Sequence, residues 1–405
     1  MPIADLEPHW SWFFDDAVPR HVKRRLSPRE AWRDKPFTRQ DAVFQVRAVR
    51  ELSERLTVER SSTGGRARTR GYLQHERFRA AYLLYFLPLQ TAKFAHLLAA
   101  YPGAVDAALA EARRVGRMVV ADLGAGPGTA SIALLLELAR RFARPAKDRP
   151  GLPPIELHWF DVEKRILEHG RDLAAELIDH VPVLRGNVRI ELHVRPWTDA
   201  GAVTTEGWSL GLLGHTLNES PAPPLHAWKR LLDRTARGGG LLLVEPASKG
   251  SSQRLSRLRD ELLESGTVTP QPTSFWGPCL HGGACPLATG RDWCHASVPT
   301  AVPGEWFAFF SRGLGSERSW LKYSYLWLAA PSDPAPMPLA TLRRVVSDPL
   351  RGSGPQQVLL CEPERTVRVP IAGHGHVLRG ELLKLSNPVP ATSAARPSPT
   401  RRLAR

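Results

Sequence analysis

The chain has four cysteines: Cys279, Cys285 and Cys294 share the stretch GPCLHGGACPLATGRDWCH, and Cys361 stands alone much further on. Three clustered thiols and one distant thiol can converge on a single tetrahedral centre once the chain folds. Four thiolates suit structural zinc or a cubane iron–sulfur cluster. Gly277, Gly282, Gly283, Pro278 and Pro286 let a short loop wrap round such a centre while limiting its disorder. The spacing is not that of a ribbon of paired CxxC motifs, so it leaves the metal open. Buried small hydrophobes, or two disulfides in an exported protein, are the alternatives.

A second chemical signal is Asp122-Leu123-Gly124-Ala125-Gly126-Pro127-Gly128-Thr129. It follows an apolar run and precedes a helical one, so the glycines form a tight turn that a cofactor can approach closely. The pattern is D-x-G-x-G-x-G rather than G-x-G-x-x-G, and no phosphate-binding lysine motif accompanies it. This favours an S-adenosylmethionine pocket over a dinucleotide site. Asp122 would organise the loop near the cofactor's amino-acid end, and Asp161 would accept hydrogen bonds from the ribose hydroxyls. Asn218 and Glu219 would open towards the same sheet edge. His215 is a further pocket candidate, with a structural role as the alternative. Tyr323 and Tyr325 read as packing residues, and no residue is singled out as catalytic.

The elements that must position these groups are legible in outline. Ser27-Pro28-Arg29-Glu30 predicts a helix start, continuing to a break near Pro36. Helical patterns follow over about 40–58, 72–99 and 103–115, with SSTGGRARTRG as a basic loop between the first two. From Arg117 strands and helices alternate: VVADL, IELHWFD, VRIELHV, the strand within WSLGLLGHTLNE, and GGLLLVEP. Such alternation predicts a mostly parallel sheet covered by helices. EWFAFF and SWLKYSYLWLAA are expected to close it as strands. RRVVSDP, QQVLLCEP, TVRVPI and GHVLRGEL predict a small β-rich module. The expected organisation is a helical region at 1–115, a sheet domain at 116–332 with a metal-binding insertion at 275–298, the β module at 340–386, and a disordered basic tail at 387–405.

Net charge is +15 and the isoelectric point about 10.2. That balance favours polyanions and phosphate contact. A secretory signal and a membrane-spanning run are both missing from the pattern, so a reducing cytoplasm is the expected setting.

VVADLGAGPGTA, LGHTLNE, LLLVEPASKGS, GPCLHGGACPL, DWCH, KYSYL and the late cysteine with its β module occur in that order. Over about residues 72–385 the chain resembles the methyltransferase-like proteins of the bacterial and mitochondrial small ribosomal subunit. This is the family of mitochondrial methyltransferase-like protein 17 and its yeast and bacterial relatives. The resemblance implies a Rossmann-like S-adenosylmethionine-dependent methyltransferase fold, with S-adenosylmethionine as cofactor. It implies that Cys279, Cys285, Cys294 and Cys361 bind a [4Fe–4S] cluster, zinc being the alternative; a cluster closed by four thiolates is expected to be structural, with electron transfer or redox sensing as the alternative. It also implies binding to small-subunit ribosomal RNA and assembly intermediates; no obligate homo-oligomer is expected. A bacterial cytoplasmic, ribosome-associated setting is expected. The alternatives are an active rRNA methyltransferase and a zinc-containing methyltransferase of small molecules.

Overall fold

Trp10, Phe13, Phe14 and Ala17 recur three or four positions apart and are all buried. That spacing drives one continuous helical run from α1 (His9–Ser11) through a π-helical segment, Trp12–Ala17, into α2 (Val18–Leu26). The computed structural model describes residues 9–27, 30–62, 71–143, 150–203, 207–217, 223–268, 275–299, 302–315, 319–329, 342–350, 355–371 and 377–384.

The helix expected to begin at Ser27 is not formed. Ser27 instead ends α2 in extended conformation, and only a 3-10 turn, Glu30–Trp32, follows. None of that turn is buried, so a capping pattern without an apolar stripe behind it had nothing to pack. The working cap lies at α3 (Arg39–Ser62). There the Thr38 N–H and hydroxyl both donate to Asp41 Oδ2 at 2.8 Å. After a 3-10 turn at Tyr72–Gln74 come α4 (Glu76–Ala81), a π-helical turn Tyr82–Phe86, α5 (Leu87–Ala100) and α6 (Pro102–Val115). Tyr85, Phe86 and Phe94 are buried as core.

β1 (Met118–Leu123) is buried along its whole length, as a central parallel strand must be when helices cover both faces. It leads through the glycine turn into α7 (Thr129–Phe142). β2 (Ile155–Asp161), α8 (Lys164–His180), β3 (Val188–Val194), the short α9 (Ala200–Val203), β4 (Trp208–Gly214), α10 (Leu225–Asp233) and β5 (Thr235–Pro246) follow. The strands lie in the order β3-β2-β1-β4-β5, each paired parallel to its neighbour. The order reverses between β1 and β4, so the carboxyl ends of those strands frame the crevice in which such sheets bind ligands. This is the Rossmann-like methyltransferase fold.

The chain forms two compact units. The first comprises residues 1–245, 299–321 and 327–332, and therefore joins the N-terminal helices to the parallel sheet. The second comprises residues 246–298, 322–326 and 333–405. It contains α11 (Lys249–Glu264), β6 (Phe275–Gly277) and β7 (Ala296–Pro299).

In the first unit, EWFAFF is a helix and not the expected strand: α12 (Glu305–Gly313). Phe307 and Phe310, three apart, are both buried, and Phe307 stacks on Tyr85 with ring centroids 5.1 Å apart. Aromatic packing at helical spacing overrode the strand preference of the aromatics themselves. β8 (Trp320–Ala329) is the expected strand; its final residues, Trp327–Ala329, belong to the first unit and Lys322–Leu326 to the second.

Within the second unit β9 (Leu342–Val345), β10 (Gln357–Glu362), β11 (Arg365–Pro370) and β12 (Leu382–Lys384) form an antiparallel sheet in the order β11-β10-β9-β12. Val345, Val358, Leu360, Ile371 and Val377 are its core. Burial alternates along β10. Val358 and Leu360 therefore face that core while Cys361 points to the opposite side.

Candidate metal centre and cofactor pocket

All four cysteines line one cavity in the second unit, together with Arg259, His281 and Arg344 among others. Sequence reasoning expected this convergence, and the folding of the loop explains it. Arg259 on α11 is 1% exposed and donates to the carbonyls of Gly283 and His281. The adjacent Asp260 accepts the Cys285 N–H at 3.0 Å. On the other side of the loop, Ser252 and Ser324 both donate to the Cys294 carbonyl, and Arg344 donates to that of Pro278 at 3.0 Å. The loop backbone thus finds its partners on α11, β8 and β9. Glu364 N–H donates to Ala284 O at 3.1 Å, drawing the β10–β11 turn, and with it Cys361, to the loop.

The four residues keep some accessible surface because they line the cavity, and none is in a disulfide. Burial pushes the Cys279 thiol up to about 11 and the Cys294 thiol to about 12, with Arg259 opposing the shift at Cys279. Burial raises Cys361 further still, reinforced by the neighbouring cysteines. Thiols in this position ionise only when a cationic centre compensates them. His281 is held neutral, its pKa lowered to about 4 by burial and by Arg259. Its Nδ1 lies 3.2 Å from the Gly283 carbonyl and 3.5 Å from an Arg259 guanidinium nitrogen, and its Nε2 faces Cys361 Sγ at 3.5 Å.

The donor set fits a metal or cluster. Four thiolates around a dipositive core carry net charge of about −2, and Arg259 and Arg344, both buried, supply two positive charges beside it. Among the described residues, no three cysteine sulfurs form a set within 4.8 Å of one another. A four-thiolate zinc site needs its sulfurs about 3.8 Å apart.

In the first unit, the glycine turn stands where the motif placed it. Asp122 is 2% exposed and turned inward: Oδ2 accepts from the Ser131 N–H at 2.9 Å and hydroxyl at 2.7 Å. Burial raises its pKa to about 6, against the lowering effect of those two bonds. Asp122 thereby ties the end of β1 to the first turn of α7. Asp161 accepts the Gly126 N–H and the Glu163 N–H, each at 2.9 Å, so it shapes the turn from the end of β2.

Gly128 has φ +73, and a Cβ there would stand 2.1 Å from the Trp159 ring. Gly126 has φ +54 but opens onto free space, with nothing within 4 Å of a Cβ. Gly124 packs on Thr216 and lines a small cavity with Tyr82, Gln90, Asp122, Thr129 and His215. Two polar atoms of that lining, Gln90 Oε1 and Thr129 Oγ1, are buried without a hydrogen-bond partner. They fit a polar ligand such as S-adenosylmethionine. His215, at φ +57, has its Nε2 3.4 Å from Lys93 Nζ. Asn218 and Glu219 lie outside the described residues. Tyr323 and Tyr325 are buried, and Tyr325 lines the cysteine cavity.

Arg259 and Arg344 were not anticipated. A signal for Arg259 existed: it falls in the buried stripe Leu255, Leu258, Leu262, where an apolar residue belongs.

Residues 161–381 match the family described as mitochondrial small ribosomal subunit Rsm22. No curated protein matches the sequence. Among solved structures, an rRNA methylase from Streptococcus thermophilus is 13% identical, with 53% of this chain and 87% of that chain covered and a TM-score of 0.28. An O-methyltransferase family protein from Burkholderia thailandensis is 17% identical, with 74% and 75% covered and a TM-score of 0.33. A putative methyltransferase from Streptococcus mutans in complex with SAH is 14% identical, with 53% and 89% covered and a TM-score of 0.29. These structural likenesses are slight; the strand order and glycine turn carry the fold assignment.

Proposed function

Because this chain belongs to the Rsm22 family of the mitochondrial small ribosomal subunit, we propose that it is a ribosome-associated, methyltransferase-like factor that binds small-subunit ribosomal RNA and carries a structural [4Fe–4S] cluster. The observation behind the cluster is the cavity that Cys279, Cys285, Cys294 and Cys361 line together. When bound, the cluster supplies a rigid cross-link of four thiolates. Arg259 and Arg344 balance its charge, and Asp260 fixes the loop that presents Cys285. RNA binding is supported by the net charge of +15, since arginine and lysine follow a folded RNA through its phosphates and shape.

Anaerobic purification followed by iron, acid-labile sulfide and zinc determination, with Mössbauer spectroscopy, tests the cluster. About four irons and four sulfides per chain are expected. Stoichiometric zinc, with negligible iron and sulfide after anaerobic reconstitution, would overturn it. Crosslink mapping tests the RNA, with contacts expected on small-subunit precursors; exclusive recovery of other RNAs would refute that part.

A second reading, an active S-adenosylmethionine-dependent rRNA methyltransferase, is favoured by the open space at Gly126 and the unpartnered Gln90 and Thr129 oxygens. The cofactor supplies an electrophilic methyl group. Asp122 and Asp161 hold the turn against which it would lie. Labelled methyl transfer to an authentic assembly intermediate decides this reading, and failure by cofactor-bound protein counts against it.

A further inference from the structure

Glu191 and His193 are two positions apart on β3, so they share one face of the strand. In the parallel register with β2, His158 stands opposite Glu191 and Phe160 opposite His193. The pairing brings three ligand-type side chains together in the first unit, apart from the glycine turn and its cavity. His158 Nδ1 lies 3.1 Å from His193 Nε2 and 3.7 Å from Glu191 Oε2. All three ligand atoms fall within 4.8 Å of one another.

The spacing has a chemical meaning. Nitrogen and oxygen ligands at about 2.0–2.1 Å from a tetrahedral zinc ion stand about 3.3–3.4 Å from each other. The observed separations bracket that value. The His193 ring is also held in place: it stacks on buried Phe160, with centroids 4.4 Å apart and planes 11° apart. The side chains of His158 and Glu191 are 16% and 49% exposed, which leaves an approach from solvent. A hydrogen bond between the two imidazoles accounts for their contact. A cation would replace the shared proton.

We propose that His158, Glu191 and His193 form a binding site for a zinc-class divalent cation, with a fourth coordination position open to water. Bound there, the ion joins β3, the outermost strand of its sheet, to β2. The site is independent of the cysteine cavity and of the proposed ribosomal role.

Cobalt(II) titration of the full chain as purified tests this, read by visible spectroscopy and X-ray absorption. About one ion per chain is expected, with nitrogen and oxygen neighbours at about 2.0–2.1 Å and no sulfur at about 2.3 Å. Glu191→Gln, at an exposed position, should keep the metal-free melting temperature and lose at least about tenfold in affinity. His193→Gln should abolish the nitrogen-rich signal. Sulfur-only ligation in the native chain, or unchanged cobalt affinity in folded Glu191→Gln, would overturn the proposal. The second outcome holds even if His193→Gln fails to fold.

Discussion

His281 Nε2 lies 3.5 Å from the Sγ of Cys361, joining a loop residue to a strand residue 80 positions later. The contact separates the roles of neighbour and ligand. Cys361→Ser should lower iron from about four per chain to below about one, because a ligand is lost. His281→Ala should keep the iron, since four thiolates complete the set without it. Iron and sulfide analysis of both variants checks this, and retained iron in Cys361→Ser would remove Cys361 from the site.

The glycine turn should respond unequally to small substitutions. Gly128→Ala drives a methyl group into the Trp159 ring, and overpacking of this kind costs about 1–3 kcal/mol or more on top of the left-handed backbone. Gly126→Ala meets no atom, so only backbone strain of about 1–2 kcal/mol applies. Denaturant midpoints should rank native above Gly126→Ala above Gly128→Ala. Gly126→Asp adds bulk and negative charge where the ligand would approach. Calorimetry should then show weakened S-adenosylmethionine binding with iron content unchanged.

Ser131→Ala removes the hydroxyl that donates to buried Asp122. A hydrogen bond to a charged group contributes about 1.5–3 kcal/mol, and that loss should appear in urea unfolding at pH 7.5. The Asp122 pKa should also rise above its native value of about 6, because the lost bond favoured the carboxylate. A carboxyl signal tracked by NMR that stays in place would contradict the assignment.

Acid should destabilise the first unit through buried His21 and partly buried His96. Burial, reinforced by His169, lowers His21 to about 3, and burial lowers His96 to about 4, from the ordinary 6.5. Each binds its proton more readily when unfolded. Their contribution is therefore full above about pH 6.5 and is lost progressively as pH falls towards 3–4. Asp122 has the opposite sign: raised to about 6, it favours folding most below 3.8 and loses that contribution as pH rises through 6. Unfolding midpoints at pH 7.5 and 5 should differ less in His21→Gln than in the native chain. An undiminished difference would show that His21 does not titrate as argued.

Amino-acid order alone settled the features that depend on near neighbours. The glycine turn between β1 and α7, the alternation from β1 to β5 and strands β9, β10 and β11 of the β module were legible because turn chemistry and side-chain period are local; of GHVLRGEL, only Leu382 lies in a described strand. The cysteine set was legible by type, and the four residues line one cavity as expected. Where local signals conflicted, packing decided: Phe307 and Phe310 made a helix of a strand-like run by reaching Tyr85, and the capping pattern at Ser27 failed for want of an apolar face. Only the tertiary structure could turn Cys361 away from the β10 core towards its loop, place Arg259 under that loop, or set His158 against Glu191 and His193. Those relationships depend on strand register and on contacts between distant segments. Register is fixed by the simultaneous burial of many side chains, which no short stretch of sequence contains.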